Sequence, residues 1–216
     1  MEALKEQMEP NPVAQAFTTK HKSHDEAKKY KNFQKNIKEV TKLKMQEICK
    51  DHDVVLQECP DPYASMFAHW MTLIMVSGKK IKLCLKTHFN TADSFYLREQ
   101  NNRKRKKKTE VDLLKSFDFM KELSNESAGR IKTCLGSENS AMGLSLPLVT
   151  RGFDEVLFID RIIKTNHGDE RSREAWRLKV GDHIITYTAE IQIMDWDVLN
   201  DLRDPNKEST GNLEFL

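Results

Sequence analysis

The stretch KELSNESAGRIK, residues 121–132, has almost no apolar pattern of its own, yet it lies inside a long amphipathic segment. On a helical wheel of about 100° per residue, the apolar and small residues around it form one stripe about 80° wide. The stripe consists of Leu113, Phe117, Met120, Ser124, Ala128, Ile131 and Leu135. We therefore predict a helix over residues 110–135, which begins with the T-x-x-D capping signal of Thr109 and Asp112 and ends at Gly136.

The opposite side of this helix carries two carboxylates, a carboxamide and a glycine. Glu122 and Asn125 are i and i+3 neighbours, so both side chains can meet the same ligand. Gly129 lies one turn further on and lacks the side chain that would keep a partner's backbone away. Asp118 lies on the same side of the wheel. This combination is typical of a docking surface that also carries reactive polar groups.

An ordinary solvated helix face is the alternative interpretation of the same residues. The E-x-x-N spacing also occurs at Glu99 and Asn102, where nothing around it indicates a function. Because spacing alone does not separate the two interpretations, the flanking sequence has to be considered.

Upstream of this helix, the period of the apolar residues changes. Residues 23–50 form a one-sided helical pattern, in which the inward positions recur at helical intervals: Tyr30, Phe33, Ile37, Val40, Leu43 (or Lys44) and Ile48. Residues 53–58 and 66–76 are strand-like and are separated by a Pro-Asp-Pro break. In residues 79–87, apolar residues alternate with Lys80, Lys82, Cys84 and Lys86. We predict that 66–76 and 79–87 form a hairpin whose second strand has one wet face, followed by a short helix over 90–100.

Downstream of the helix, the sequence is typical of strands. Residues 142–149 form one candidate strand, in which Pro147 indicates a sheet edge or a strand end. Residues 153–160 form another, and residues 174–180 and 183–194 are predicted to form a hairpin around a Gly-Asp turn. The order of these elements predicts an α+β fold, a largely antiparallel sheet with long helices packed on one face.

The limits of the chain differ in composition from its centre. Residues 1–29 are interpreted as a polar N-terminal extension, residues 30–195 as the folded domain, and residues 196–216 as a polar C-terminal tail. The N-terminal residues contain no apolar stretch of the kind that a secretory signal needs. The most apolar run, residues 66–76, is far shorter than the ~20 residues of a membrane-spanning helix. We therefore expect a cytoplasmic protein.

Composition narrows the classes of function. The chain of 216 residues is 38% hydrophobic and 31% charged, with a net charge of only +2, so no chain-wide basic field favours nucleic acid. Its four cysteines are scattered and are expected to be free thiols. Its seven histidines form no metal-ligand pattern. We expect the protein to have no cofactor or metal ion of its own.

A basic run, NNRKRKKK, occupies residues 101–108. We interpret it as a solvated linker between two helices. The alternative is a contact with nucleic acid, an acidic partner or a membrane surface. No aromatic residues of the kind that stack on bases lie beside the run, so binding of nucleic acid is not expected.

The helix and the strand after it together resemble the CheC/CheX/FliY family of response-regulator phosphatases. In that family a helix of the form E-L-x-N-x-x-A-G-x-x-x-x-x-L precedes a strand of the form L-x-x-P-x-V-x-x-G. The matching helix residues are Glu122, Leu123, Asn125, Ala128, Gly129 and Leu135. The matching strand residues are Leu144, Pro147, Val149 and Gly152. The resemblance covers about residues 30–195, and the single motif helix makes it closest to CheX.

The resemblance implies a function and a set of roles. Proteins of this family remove the phosphoryl group from an aspartate of a CheY-like receiver domain, which itself binds Mg²⁺. By this resemblance Asn125 positions the attacking water and Glu122 pairs with the receiver's active-site lysine. Asp118 and Gly129 lie on the same side of the helical wheel, and we predict that they contact the partner. The resemblance also implies a homodimer whose sheets join edge to edge.

Three features depart from the family pattern. Lys121 replaces a residue that is usually small, Glu126 stands where an apolar residue is common, and the basic run lengthens a short connection. A charged Glu126 turned toward the phosphate would oppose docking on an anion. The alternative function is therefore a non-catalytic CheX-like adaptor that binds a receiver or another signalling protein.

Overall fold

The computed structural model describes residues 23–59, 68–104, 112–136, 141–152 and 170–206 of the chain. Four predicted features lie wholly or partly outside these ranges: the strand at 153–160, the capping residue Thr109, residues 1–22 of the N-terminal extension and residues 207–216 of the C-terminal tail. Within the described residues, no helix is both long and apolar enough to cross a membrane. The four cysteines are free thiols.

Three helices and seven strands are described. The helices are α1 (His24–Ile48), α2 (Thr91–Lys104) and α3 (Leu113–Cys134). The strands are β1 (Val54–Glu58), β2 (Trp70–Ser77), β3 (Ile81–Phe89), β4 (Gly143–Leu144), β5 (Leu148–Arg151), β6 (Glu170–Val180) and β7 (His183–Ile193). A short 3₁₀ helix, Trp196–Leu199, follows β7.

The strands form one antiparallel sheet in the order β1-β6-β7-β3-β2-β4, and β5 also pairs with β2. The predicted hairpins are present: β2 pairs with β3 and β6 pairs with β7. Gly181 has a φ of 58° in the β6–β7 turn, a left-handed conformation that glycine adopts without steric cost. The predicted α+β fold is therefore confirmed.

The long helices α1 and α3 cover the same face of the sheet. Trp176, Tyr187, Thr87 and Thr72 are successive cross-strand partners, so their side chains form one row on one face. The indole Nε1 of Trp176 donates to Thr41 Oγ1 of α1 at 2.9 Å. At the other end of the row, the Thr72 hydroxyl lies 2.5 Å from that of Ser124 in α3. The core lies between this row and the helices.

Local signals explain where α1 begins. Ser23 accepts from the backbone of Glu26, and the Glu26 side chain accepts from the Ser23 backbone, which makes a capping box. The buried face of the helix is Tyr30, Phe33, Ile37, Val40, Thr41, Met45 and Ile48. Met45 takes the core position that the sequence analysis placed at Leu43 or Lys44. Because α1 begins at His24, helical structure starts before residue 30, the predicted limit of the domain.

The start of α3 and the strand after it differ in detail from the predictions. Asp112 itself caps α3, by accepting from the backbone N–H of Lys115 at 3.2 Å. The strand predicted over 142–149 is two short strands, β4 and β5, with Pro147 in the break between them. Pro147 therefore marks an interruption beside β2, because proline has no backbone N–H to donate to a ladder.

The expectation of a wet face on β3 is wrong for its second half. Lys82 is exposed, but Lys86 and His88 on the same face are only 2% and 1% exposed. Lys86 Nζ lies 2.5 Å from Glu190 Oε1 of β7, so its charge is compensated within the fold. Alternation identified this face of the strand correctly, but it did not reveal what covers the face.

Two boundary predictions are corrected by packing. The basic run does not begin as a linker, because α2 continues through residues 101–104; residues 105–108 lie outside the described part. Residues 196–199 are not a polar tail. Val198 and Leu199 in the 3₁₀ helix are 1% and 2% exposed, and they join the core because α1 packs against them. The packed part of the chain therefore extends past residue 195.

Candidate functional site

The orientation of α3 is set by what it buries. Met120, Ala128 and Ile131 are fully buried against the sheet. Between them, the Ser124 hydroxyl lies 2.5 Å from that of Thr72 and 3.3 Å from that of Thr87. The small serine interrupts the apolar stripe because it forms hydrogen bonds with two strands. These contacts fix which side of α3 faces outward.

The outward side carries all four residues that the sequence analysis selected. Glu122 and Asp118 are exposed, and Asn125 and Gly129 are partly exposed. Residues at i and i+3 of a helix are neighbours, with Cβ atoms about 5–6 Å apart, so Glu122 and Asn125 can reach one ligand. One predicted core residue is misplaced: Leu113 is 38% exposed, because it begins the helix.

Glu122 and Asn125 differ from Asp118 on this face in their contacts with the described part of the chain. Among the described residues, neither side chain has a hydrogen-bond or ion-pair partner. The two other carboxylates of α3 each have an ion-pair partner. Asp118 Oδ1 lies 2.5 Å from Lys121 Nζ, and Glu126 contacts Lys44 of α1. A carboxylate and a carboxamide side by side are thus available to a ligand. The carboxylate can accept from a cation, and the carboxamide can both accept and donate.

Gly129 leaves an opening beside this pair. A Cβ built at Gly129 would have no neighbour within 4 Å among the residues that the structure describes, so packing within that part of the chain does not require a glycine there. Glycine in a helix interior costs about 1 kcal/mol relative to alanine. Its presence is explained if something from outside the chain approaches the backbone of α3 at this point.

Glu99 and Asn102 of α2 have the same E-x-x-N spacing, but the contacts of Glu99 differ from those of Glu122. Glu99 lies 2.5 Å from Arg103 on the same helix, so its carboxylate is already paired. The E-x-x-N spacing is therefore not a signal by itself. What distinguishes the α3 pair is that neither of its side chains has a hydrogen-bond or ion-pair partner in the part of the chain that the structure describes.

One residue of this region was not recognised from sequence as part of it. Lys44 of α1 contacts Glu126, and Lys44 and Glu122 line the same pocket of about 300 Å³ between the three helices. Nothing in the sequence around Lys44 points to Glu126, because the two residues meet only when α1 packs on α3.

No group of three or more histidine, cysteine, aspartate or glutamate residues suited to a metal ion occurs in the described part of the chain.

Comparison by sequence finds neither a matching family model nor a curated protein with significant similarity. Solved structures do match. The chemotaxis protein CheX from Vibrio vulnificus superposes with a TM-score of 0.56 at 12% identity, over 74% of this chain and 99% of that one. A CheC-like superfamily protein from Shewanella gives 0.53 at 14% identity, over 74% and 97%.

A third structure contains a partner. It is the complex of CheX with CheY, BeF₃ and Mg²⁺ from Borrelia burgdorferi, which matches with a TM-score of 0.51 at 11% identity, over 73% of this chain and 96% of that one. At such low identities these similarities concern the fold. The chain has the fold of the CheC/CheX family.

Proposed function

We propose that this protein is a phosphatase that hydrolyses the aspartyl phosphate of a CheY-like receiver domain. The observation that carries the proposal is the unengaged pair Glu122 and Asn125 on the outward face of α3. The fold supports it, since the similar CheX of Borrelia burgdorferi was solved as a complex with CheY, BeF₃ and Mg²⁺.

Asn125 has the chemistry that the reaction needs. Water attacks phosphorus, the bond between phosphorus and the aspartate oxygen breaks, and the products are inorganic phosphate and a free aspartate carboxylate. The transition state is loose, so a helper protein mainly positions the water and adds little covalent chemistry. The amide oxygen of Asn125 accepts a hydrogen bond from the water. The amide is uncharged, so it is not repelled by the phosphoryl group.

Glu122 supplies the charge that orients the partner. Its carboxylate pairs with the receiver's active-site lysine and thereby fixes the position of Asn125. Mg²⁺ belongs to the receiver, and this chain contributes no ligand to it. Gly129 and Asp118 lie where the receiver's backbone and polar side chains would meet α3.

Substitution of Asn125 tests the proposal. Asn125→Ala should lower receiver dephosphorylation by about 10²-fold, because one preorganised contact to the transition state is lost. Affinity for the receiver should be kept, and stability should not fall, because alanine is the better helix former. Glu122→Ala should lower both the rate of dephosphorylation and the affinity for the receiver. The measurement is phosphate release from phosphorylated receivers of the same genome, alongside receiver binding.

Asn32→Ala is the matched control, since Asn32 is also a helical asparagine but is exposed on α1, three turns before Lys44. It should keep turnover within about twofold, because its side chain lies outside the pocket that Glu122 lines. If Asn125→Ala dephosphorylates the receiver as fast as the parent protein while binding is intact, the phosphatase assignment is wrong. The non-catalytic adaptor then takes its place.

A further inference from the structure

Glu126 introduces an electrostatic problem beside the candidate site. It follows Asn125 directly and lies one turn after Glu122. Like charges at i and i+4 of a helix repel each other. A second free carboxylate would also repel the phosphorylated face of a receiver. The site can therefore work as proposed only if the charge of Glu126 is compensated and held aside.

Lys44 provides that compensation from another helix. Its ammonium group contacts the carboxylate of Glu126 and also lies 3.3 Å from Glu47, one turn further along α1. Glu47 in turn accepts from Arg130 of α3 at 2.6 Å. The four groups form a chain of alternating charge, Glu126–Lys44–Glu47–Arg130, with no net charge. This charge chain joins α1 to α3 beside the site.

Burial of Lys44 makes the centre of the charge chain less screened than an ordinary surface pair. The side chain of Lys44 is only 14% exposed, so salt and water screen its charge less than that of an exposed lysine. Burial by itself would raise the pKa of Glu47. The hydrogen bond from Arg130 and the charges of Arg130 and Lys44 outweigh this effect and lower that pKa, so Glu47 is ionised at neutral pH.

We propose that Lys44 is a positioning residue of the site, which holds the Glu126 carboxylate toward α1 and leaves Glu122 as the carboxylate offered to the partner. The inference rests on the proposed function and extends it to a residue of another helix. It also explains how this chain accommodates a glutamate directly beside Asn125.

A double-mutant cycle tests the contact itself without any receiver. Lys44→Met removes the charge but keeps the length of the side chain, and Glu126→Gln keeps the shape of the carboxyl group. The urea midpoints of the single variants and of the double variant should be non-additive, since each single change removes the same pair. Additive midpoints would overturn the inference.

Kinetics then test the role of Lys44. At low salt, Lys44→Met should raise KM for the phosphorylated receiver about threefold to tenfold with kcat nearly unchanged, because it frees a carboxylate near the docking anion. The effect should shrink at high salt. Adding Glu126→Gln should restore the parent KM. Lys29→Met, which breaks an ion pair with Asp25 on the same helix away from the site, should have no effect.

The outcomes separate the inference from the proposed function. If Lys44→Met behaves like Lys29→Met, or if Glu126→Gln does not restore KM, Lys44 does not position the site. The Asn125→Ala variant in the same assay reports on the phosphatase assignment alone. If the phosphatase assignment fails, the affinity of the Lys44 variants for the receiver is measured by titration instead. Lys44→Met should then weaken binding, and adding Glu126→Gln should restore it.

Discussion

Ser124 is the residue that links the core to the candidate site. On one side its hydroxyl contacts two buried threonines, Thr72 of β2 and Thr87 of β3. On the other side its neighbour along the chain is Asn125. A bulky apolar residue at position 124 would fill the core but could not form these hydrogen bonds, so the angle at which α3 lies on the sheet depends on this small polar group.

Removing the Ser124 hydroxyl should therefore destabilise the fold. Ser124→Ala deprives the buried Thr72 hydroxyl of a partner, which typically costs about 1–3 kcal/mol. Ser116→Ala is the matched control. Its hydroxyl lies 3.0 Å from Ser94 Oγ, but Ser94 also donates to the backbone of Thr91, so less should be lost. Urea denaturation measures both variants, and equal losses would contradict the special role of Ser124.

At the scale of elements, the edge of the sheet beyond β2 exposes several apolar side chains. Among the described strands, β4 and β5 pair only with β2. The segment that contains them exposes Leu144, Leu146 and Leu148 by 38%, 91% and 58%. An apolar strand edge of this kind tends to pair with another chain. This edge is therefore where we expect the homodimer implied by the resemblance to CheX to join.

We expect the protein to be a homodimer that joins through this edge. Leu146→Asp should convert it to a monomer, because a carboxylate would be buried in the interface without a partner. Val55→Asp, at an exposed position of β1 on the opposite edge, should leave the dimer intact. Light scattering or sedimentation at micromolar concentration gives the mass. A parent protein that is monomeric under these conditions contradicts the prediction.

At the scale of the whole molecule, we expect a buried histidine on the second face of the sheet to make stability depend on pH. His88 is 1% exposed, and its Nε2 lies 3.1 Å from the Thr188 hydroxyl. Burial, together with the charges of Lys86 and Arg173, lowers the pKa of His88 from 6.5 to about 3. The folded protein thus keeps this imidazole neutral over a pH range in which an unfolded chain protonates it.

Stability should consequently fall as the pH drops below about 6.5. Above that value His88 is neutral in both states and contributes no pH dependence. Between about 6.5 and 3 only the unfolded chain binds the proton, which lowers the free energy of unfolding by up to about 1.4 kcal/mol per pH unit. Urea unfolding from pH 7 to pH 4 measures this slope. His88→Gln should reduce it and exposed His52→Gln should not; an unchanged slope in His88→Gln would refute the assignment.

Local sequence patterns determined much of this protein. The apolar period of α1, the alternation in β3 and β7, and the Gly181 turn each depend on neighbouring residues, so each could be predicted from the chain alone. The outward face of α3 was predictable for the same reason. Helix geometry places Glu122, Asn125 and Gly129 together whatever the helix packs against.

Only the tertiary structure decided which of those side chains are free and which are engaged. Glu126 is paired because Lys44 reaches it from α1, whereas Glu122 has no such neighbour among the described residues. Lys86 is buried because Glu190 lies on the adjacent strand, and Leu199 is buried because α1 covers it. The periodicity of the apolar residues shows on which face of a helix or strand a side chain lies. Its partners come from distant parts of the chain, and they exist only once the helices have packed on the sheet.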